Sequence, residues 1–146
     1  MKIYLAARYS RHPEMQHVAH ALMAQGHDVT SRWIWGAHQT LDESLLHPEV
    51  RSDSQRFAQE DIADLEAAEC FIGFSEAIRQ PSRGGRHVEL GMALALGKRI
   101  CVVGGLEHVF HTLAHVEHYA TLETLLQALG TAPEPVARPV RHERGP

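Results

Sequence analysis

Glu89 lies between Val88 and Leu90 in a stretch, Gly84 to Lys98, that opens on two glycines and continues as an Ala/Leu-rich helical pattern. A carboxylate in a first helical turn has two readings. It can face solvent and answer the positive end of the helix dipole, or it can point into a pocket where the loop meets the helix. In a pocket it becomes a candidate functional residue. Asp61 carries the same ambiguity. It shares a helix with Glu60, Asp64 and Glu66, so a solvated acidic face competes with a functional acid. Tyr4 falls within an apolar strand pattern, where a packing role is the ordinary account.

Other chemistries find less support. No P-loop is present, and Gly84-Gly85 is neither a GxGxxG fingerprint nor placed after the right strand for one. Ser10, Ser75 and Ser82 lack the context of a nucleophile elbow. Cys70 and Cys101 form no CxxC pair. His17 with His20, and His111 with His115 and His118, have spacings that suit a metal, yet no carboxylate completes a metal pattern and solvated histidines are the simpler reading. Neither a metal nor a cofactor is expected.

The elements that must position these groups follow from periodicity and turn residues. Lys2 to Ala7 reads as a strand, and Met15, Val18, Ala19, Leu22 and Met23 as the buried face of a helix. Ser10 is its candidate cap, Pro13 is tolerated in its first turn, and Gly26 ends it after Gln25. Val29 to Trp35 is predicted as a second strand. Gly36 to Ser54 lacks a pattern and is too long for a tight connection, which marks it as a candidate functional or mobile loop. Phe57, Ile62, Leu65 and Ala68 predict a helix from Asp53 or Ser54 to Ala68. Cys70 to Phe74 is a continuously apolar third strand, followed by a polar loop from Ser75 to Gly85. Ile100 to Val103 is a fourth strand and Val116 to Ala120 a short fifth. A helical turn at Val109 to Leu113 separates them, and a last helix runs from Leu122 to Leu129, capped by Thr121. The Pro- and Arg-rich residues 131–146 are expected to be a flexible tail or to lie on a partner, leaving 1–130 as a single domain.

Strands alternating with helices predict a parallel sheet covered on both faces, an α/β sandwich of flavodoxin-like or Rossmann-like type with strand order 2-1-3-4-5. Ligands of such sheets bind beyond the carboxyl ends of the strands. That rule gathers the Ala7–Ser10 loop, the Ser75–Gly85 loop and the Gly104 loop around one crevice, with Glu89 at its border. The 146 residues suit one domain with a real core; 44% are hydrophobic and 22% charged. A net charge of -4 argues against a polyanion or membrane-surface binder. No apolar run reaches membrane-spanning length and the start lacks a signal-peptide pattern. With both cysteines in buried strands, a cytoplasmic setting is expected.

Three ordered segments resemble the nucleoside 2-deoxyribosyltransferases and the related 2'-deoxynucleoside 5'-monophosphate N-glycosidases. Ile3-Tyr4-Leu5-Ala6-Ala7-Arg8-Tyr9 is similar to the family's opening strand, whose Tyr contacts the catalytic carboxylate. Asp61-Ile62-Ala63-Asp64-Leu65-Glu66-Ala67-Ala68-Glu69-Cys70 resembles its "D-apolar-x-x-apolar-x-x-A-D" segment, with Glu69 in place of the usual Asp. Gly85 to Lys98 resembles the "G-x-x-x-E-x-G-x-A-x-A-x-G-K" element that carries the nucleophile. The resemblance implies that Glu89 attacks the anomeric carbon of a 2'-deoxynucleoside and forms a deoxyribosyl ester, which a second base or water resolves. Tyr4 would orient that carboxylate. Asp61 would hold the sugar or the base and supply the leaving group's proton, with His87 the alternative donor. Tyr9 would stack on the base, against a wall supplied by Trp33 or Trp35.

One departure bears on the substrate. The family's transferases carry an Asp six residues before the nucleophile, and this chain has Arg83 there. Arg83, Arg8, Ser10, Arg11 and Ser82 form a set of phosphate-compatible donors near two helix starts, so a 5'-monophosphate is open beside a nucleoside. Ala7, Arg8, Tyr9, Ser10, Trp33, Ser82, Arg83, Gly85 and His87 are the resulting substrate-binding candidates, beside Glu89, Tyr4 and Asp61. The implied partners are a small nucleoside or nucleotide, a free nucleobase and, through the family's habit, a further copy of the chain in a homodimer or larger assembly. A non-catalytic nucleotide-binding module on the same fold is the competing reading.

Overall fold

Five short strands supply the frame, and the central ones are apolar on both faces because helices cover both sides. In the computed structural model, residues 1–36, 47–77 and 84–130 are described. Strand β1 is Lys2–Ala6, β2 Asp28–Val29, β3 Cys70–Phe74, β4 Arg99–Val103 and β5 Val116–Tyr119, all parallel in the order β2-β1-β3-β4-β5. The expected topology is therefore the observed one. Helices α1 (His12–Ala24), α2 (Pro48–Ala67), α3 (Gly85–Ala95) and α4 (Leu122–Gly130) make the outer layers.

Register divides the side chains of the sheet between its faces. Tyr4 pairs with Phe71, Ala6 with Gly73 and Gly73 with Val102, so these residues share the face on which α2 and α3 pack. Ile3, Leu5, Cys70, Ile72 and Cys101 turn to the face covered by α1 and α4 and are fully buried. Each such aliphatic side chain contributes about 1.5–3 kcal/mol on burial. The two cysteines are reduced, with their sulfurs 4.0 Å apart. Glu69 ties the α2–β3 junction to the start of β1: its carboxylate accepts the Lys2 N–H at 2.6 Å and its own N–H donates to the Lys2 carbonyl at 2.8 Å.

Several boundaries differ from the sequence reading, each for a local reason. The predicted strand Val29 to Trp35 shrinks to two residues, because Ser31 and Trp33 turn inward to bond Leu5, Arg32 bonds Asp64 from the surface, and the chain forms a 3-10 turn at Arg32–Ile34. Helix α2 begins at Pro48 rather than Asp53, with Pro in its first turn, where its missing N–H is harmless. Ser10 does not cap α1. It lies in a 3-10 turn, Tyr9–Arg11, and α1 starts after Arg11 with Pro13 in the first turn. Gly26 does end that helix, at φ 83°. Ile62, expected in the core, is 41% exposed. The short turn at Val109–Thr112 and the Thr121 cap of α4 are present, Thr121 and Thr124 exchanging side chain-to-backbone bonds at 3.3 Å. Most of the 36–54 loop and the 131–146 tail lie outside the described residues. Among the described residues, no helix is long and apolar enough to cross a membrane.

Candidate active site

Helix α3 begins at a glycine that the backbone requires. Gly84 is its N-cap at φ 85°, a left-handed conformation that a side chain would strain, and its carbonyl accepts the N–H groups of His87 at 2.9 Å and Val88 at 3.2 Å. From that start the helical period buries Leu90 and Ala93 against the sheet and leaves Val88 outside, 65% exposed. Glu89 falls between these faces, half-buried, toward β1 and α2, where it meets Tyr4 and Asp61. Three elements thus bring together the three residues expected to act, and Glu89 lies against Tyr4 and Asp61 rather than facing solvent.

The electrostatics of this trio are unusual for an acid. Burial, then the like charge of Asp61, push the Glu89 carboxyl up to about 7, while a hydrogen bond from Tyr4 acts in the opposite direction. Tyr4 is fully buried on β1, its ring stacked on Phe71 at 6.2 Å. Its phenol is raised well above the ordinary value by burial and by Glu89 and Asp61. Its hydroxyl makes no hydrogen bond of ordinary geometry, so the Glu89 carboxylate is within its influence without a tight fixed bond.

Toward β2, the sequence-derived candidates take two different roles. Trp33 is a core residue, 6% exposed, whose indole N–H donates to the Leu5 carbonyl at 2.8 Å. Ser31 bonds the backbone of the same Leu5. Tyr9 lies over Trp33 at 6.3 Å, stacks on His12 at 5.0 Å and donates its hydroxyl to the Gly36 carbonyl at 3.1 Å. It is the partly exposed aromatic there, while Trp35 packs on His20. Ala7 and Arg8 are partly buried at the end of β1, Ser10 is exposed, and Gly85 is exposed in the first turn of α3. Ser82 and Arg83 lie outside the described residues.

On the other side, between α3 and the β4–β5 connection, opens a small cleft. Its floor is apolar, from Ala6, Phe71, Leu90 and Val102. Gly73 keeps that floor low, since a Cβ there would lie 2.9 Å from the Phe71 ring. Its rim carries Ser75, Arg86, His87, Glu107 and His111. Arg86 forms a two-pronged ion pair with Glu107. One His87 ring nitrogen faces one of His108 at 3.1 Å. His111 accepts the Glu107 N–H on Nδ1 at 3.2 Å, and burial holds it down to about 4, so this ring is neutral. The metal readings are not supported in the same way: among the described residues, no three His, Cys, Asp or Glu side chains are arranged to hold an ion.

Four residues escaped the sequence reading. Asp64, taken with the solvated acids, is 7% exposed and binds Arg32 at both its backbone N–H (2.9 Å) and Nε (2.8 Å). Its spacing from Leu65, Ala68 and Asp61 along one helical stripe was the available signal. Glu76 joins the end of β3 to Arg11 at 3.0 Å and Arg8 at 4.0 Å. Arg86 and Glu107 close the rim. No local pattern marks these last three, because their partners are distant in sequence.

No protein-family model and no curated protein sequence matches the chain. Several solved structures are similar in fold, two of which are the following. The CMP N-glycosidase BcmB of Clostridium botulinum has a TM-score of 0.56 at 20% identity over 88% of this chain and 98% of its own. The 2-deoxyribosyltransferase of Bacillus psychrosaccharolyticus has a TM-score of 0.62 at 19% identity over 88% and 96%. Both are of the kind that the three sequence segments resemble, and at this identity the likeness establishes the fold.

Proposed function

We propose that the chain cleaves the N-glycosidic bond of 2'-deoxynucleosides and transfers the deoxyribosyl group to another nucleobase through an ester on Glu89. The observation that carries this reading is the Glu89 carboxyl itself, buried beside Tyr4 and Asp61 with its pKa pushed up to about 7. A carboxylate that is poorly solvated and close to neutrality in pKa is a stronger nucleophile than a solvated one and also a competent leaving group from the ester. An oxygen of Glu89 forms a bond to C1' as the C1'–N bond breaks. The bonding pair leaves with the base, which takes a proton from Asp61 or His87. A nitrogen of the incoming base then attacks C1', its N–H proton returns to the group that protonated the first base, and the carboxylate departs as a free anion. Tyr4 holds the carboxylate before and after. Tyr9 supplies the partly exposed aromatic surface for stacking.

Water in place of the second base makes the same first step a hydrolysis, the activity for which the C. botulinum neighbour is named. The test mixes the protein with a deoxynucleoside and a different free base, with acid-quenched samples read by mass spectrometry. A new nucleoside and a deoxyribosyl adduct on the Glu89 peptide support transfer. Base release without a new nucleoside moves the assignment to hydrolysis. Binding without either product leaves a nucleotide-binding module and removes the enzyme reading.

A further inference from the structure

Arginines follow the carboxyl ends of the strands on every side of the crevice, and among the described residues each is answered by an acid. Arg11 gives Nε and Nη2 to Glu14 at 2.7 Å each, and Nη1 to Glu76 at 3.0 Å and to the Ser75 carbonyl at 3.1 Å. Arg8 lies 4.0 Å from the other oxygen of Glu76. Arg32 is bound by Asp64, and Arg86 by Glu107. The pairs of Arg8, Arg11 and Arg86 are linked to one another, while the Arg32–Asp64 pair stands apart. The Glu107 carboxylate also accepts the backbone N–H of Glu76, so the β1–α1 turn, the end of β3, the β4–β5 connection and α3 are linked. Glu76 stands at the centre, its side chain 11% exposed. Glu89 and Asp61 add two further carboxylates to the same edge of the sheet.

A 5'-phosphate carries between one and two negative charges at neutral pH and is bound by cations whose donors are free to turn to it. A rim whose guanidiniums already face carboxylates offers it little, while a 5'-hydroxyl brings no charge to be repelled. We propose that Glu76 is a specificity-determining residue that, by engaging Arg8 and Arg11 together, makes the crevice select nucleosides over nucleoside 5'-monophosphates. This deepens the reading of the site as one for deoxynucleosides and rests on it. It runs against a phosphate-donor role for Arg8 and Arg11; Ser82 and Arg83, grouped with them and Ser10 in that reading, lie outside the described residues.

Binding tests the selection separately from the chemistry. Calorimetry on the full chain compares each of the four 2'-deoxynucleosides with its own 5'-monophosphate, and base release is followed in the same solutions. The expected result is tighter binding of the nucleoside in at least one pair, by roughly tenfold or more. In Glu76→Gln the monophosphate should tighten by roughly tenfold while the nucleoside hardly changes, because only the dianion gains from released guanidiniums. Arg8→Gln should leave monophosphate binding nearly as weak as in the wild type, which keeps the proposal testable if the Glu76 variant does not fold. Equal or tighter monophosphate binding in the wild type overturns the proposal, as does an unchanged preference in a folded Glu76→Gln protein. A tenfold loss of monophosphate binding in Arg8→Gln, or no binding of either ligand class, also overturns it. Nucleoside selection without base release would instead remove the proposed reaction and leave the selection standing. Release from monophosphates alone would overturn the selection and move the reaction to nucleotide substrates.

Discussion

Glu89 and Glu107 are two half-buried carboxylates on opposite sides of the N-terminal turn of α3, and their environments push them apart. Burial raises both. At Glu107 the two-pronged bond from Arg86 and the N–H of Glu76 outweigh it, and the carboxyl is held below its ordinary value. At Glu89 the nearest charge is another acid, Asp61, and the single opposing influence is the Tyr4 hydroxyl, so the carboxyl rises to about 7. The same side chain is thus an anchor where Arg86 meets it, and a carboxyl of raised pKa where, among the described residues, its charged neighbour is Asp61. Deeper burial and an acidic neighbour raise Glu89, while a guanidinium and a backbone N–H hold Glu107 down.

The comparison breaks most visibly at Glu89. Glu89→Gln should abolish glycosyl transfer, by roughly 10³-fold or more in kcat, measured as new nucleoside formed per minute. Its stability should move the other way. A folded-state pKa raised from 4.5 to about 7 means that the wild type holds its full share of stability below about pH 4.5 and loses it as pH rises through 7. At pH 8 the Gln variant should therefore melt at or above the wild-type temperature, and a lower melting temperature would count against the strained carboxylate. Arg86→Met makes the opposite change on the other side. It strips Glu107 of its partner, should cost about 1–3 kcal/mol in denaturant unfolding, and should raise the Glu107 carboxyl. A loss near zero would mean that the pair is no anchor.

The difference between the two acids also explains what the sequence could tell. The strand order, the helix starting at Gly84-Gly85 and the segments holding Tyr4, Asp61 and Glu89 were legible because apolar periodicity and glycine punctuation are local signals. The β2 segment misled, since Val29, Ile34 and two tryptophans look like a strand. In the structure Trp33 and Ser31 bond Leu5 and pull the chain into a turn. The anchor side was illegible for a stronger reason. Arg86 is separated from Glu107, and Arg11 from Glu76, by long stretches of chain, and nothing local distinguishes such residues from solvated charges. Asp64 falls between these cases, visible on its helical stripe and yet easily grouped with the exposed acids around it.

Smaller effects sharpen the Glu89 side without removing it. The acid limb of kcat/KM should fall near pH 7, activity rising as Glu89 ionises. Asp61→Asn removes the like charge that helps raise Glu89, so the limb should move to lower pH. Its rate should also fall, by roughly 10–10²-fold if Asp61 is the proton donor. A limb that stays in place would show that burial alone sets the Glu89 pKa.

Tyr4→Phe probes the one interaction that favours the charged form of Glu89. The limb should move to higher pH, opposite to the Asp61 variant, because the hydrogen bond that lowers the Glu89 pKa is gone. Stability separates this role from packing. A buried Tyr normally loses a hydrogen bond worth about 1 kcal/mol on conversion to Phe. The Tyr4 hydroxyl makes no ordinary bond, and its ring contact with Phe71 survives the substitution. The variant should therefore unfold within about 0.5 kcal/mol of the wild type while its pH profile shifts. A clear loss of stability with an unmoved profile would make Tyr4 a core residue and leave Glu89 without its positioning partner.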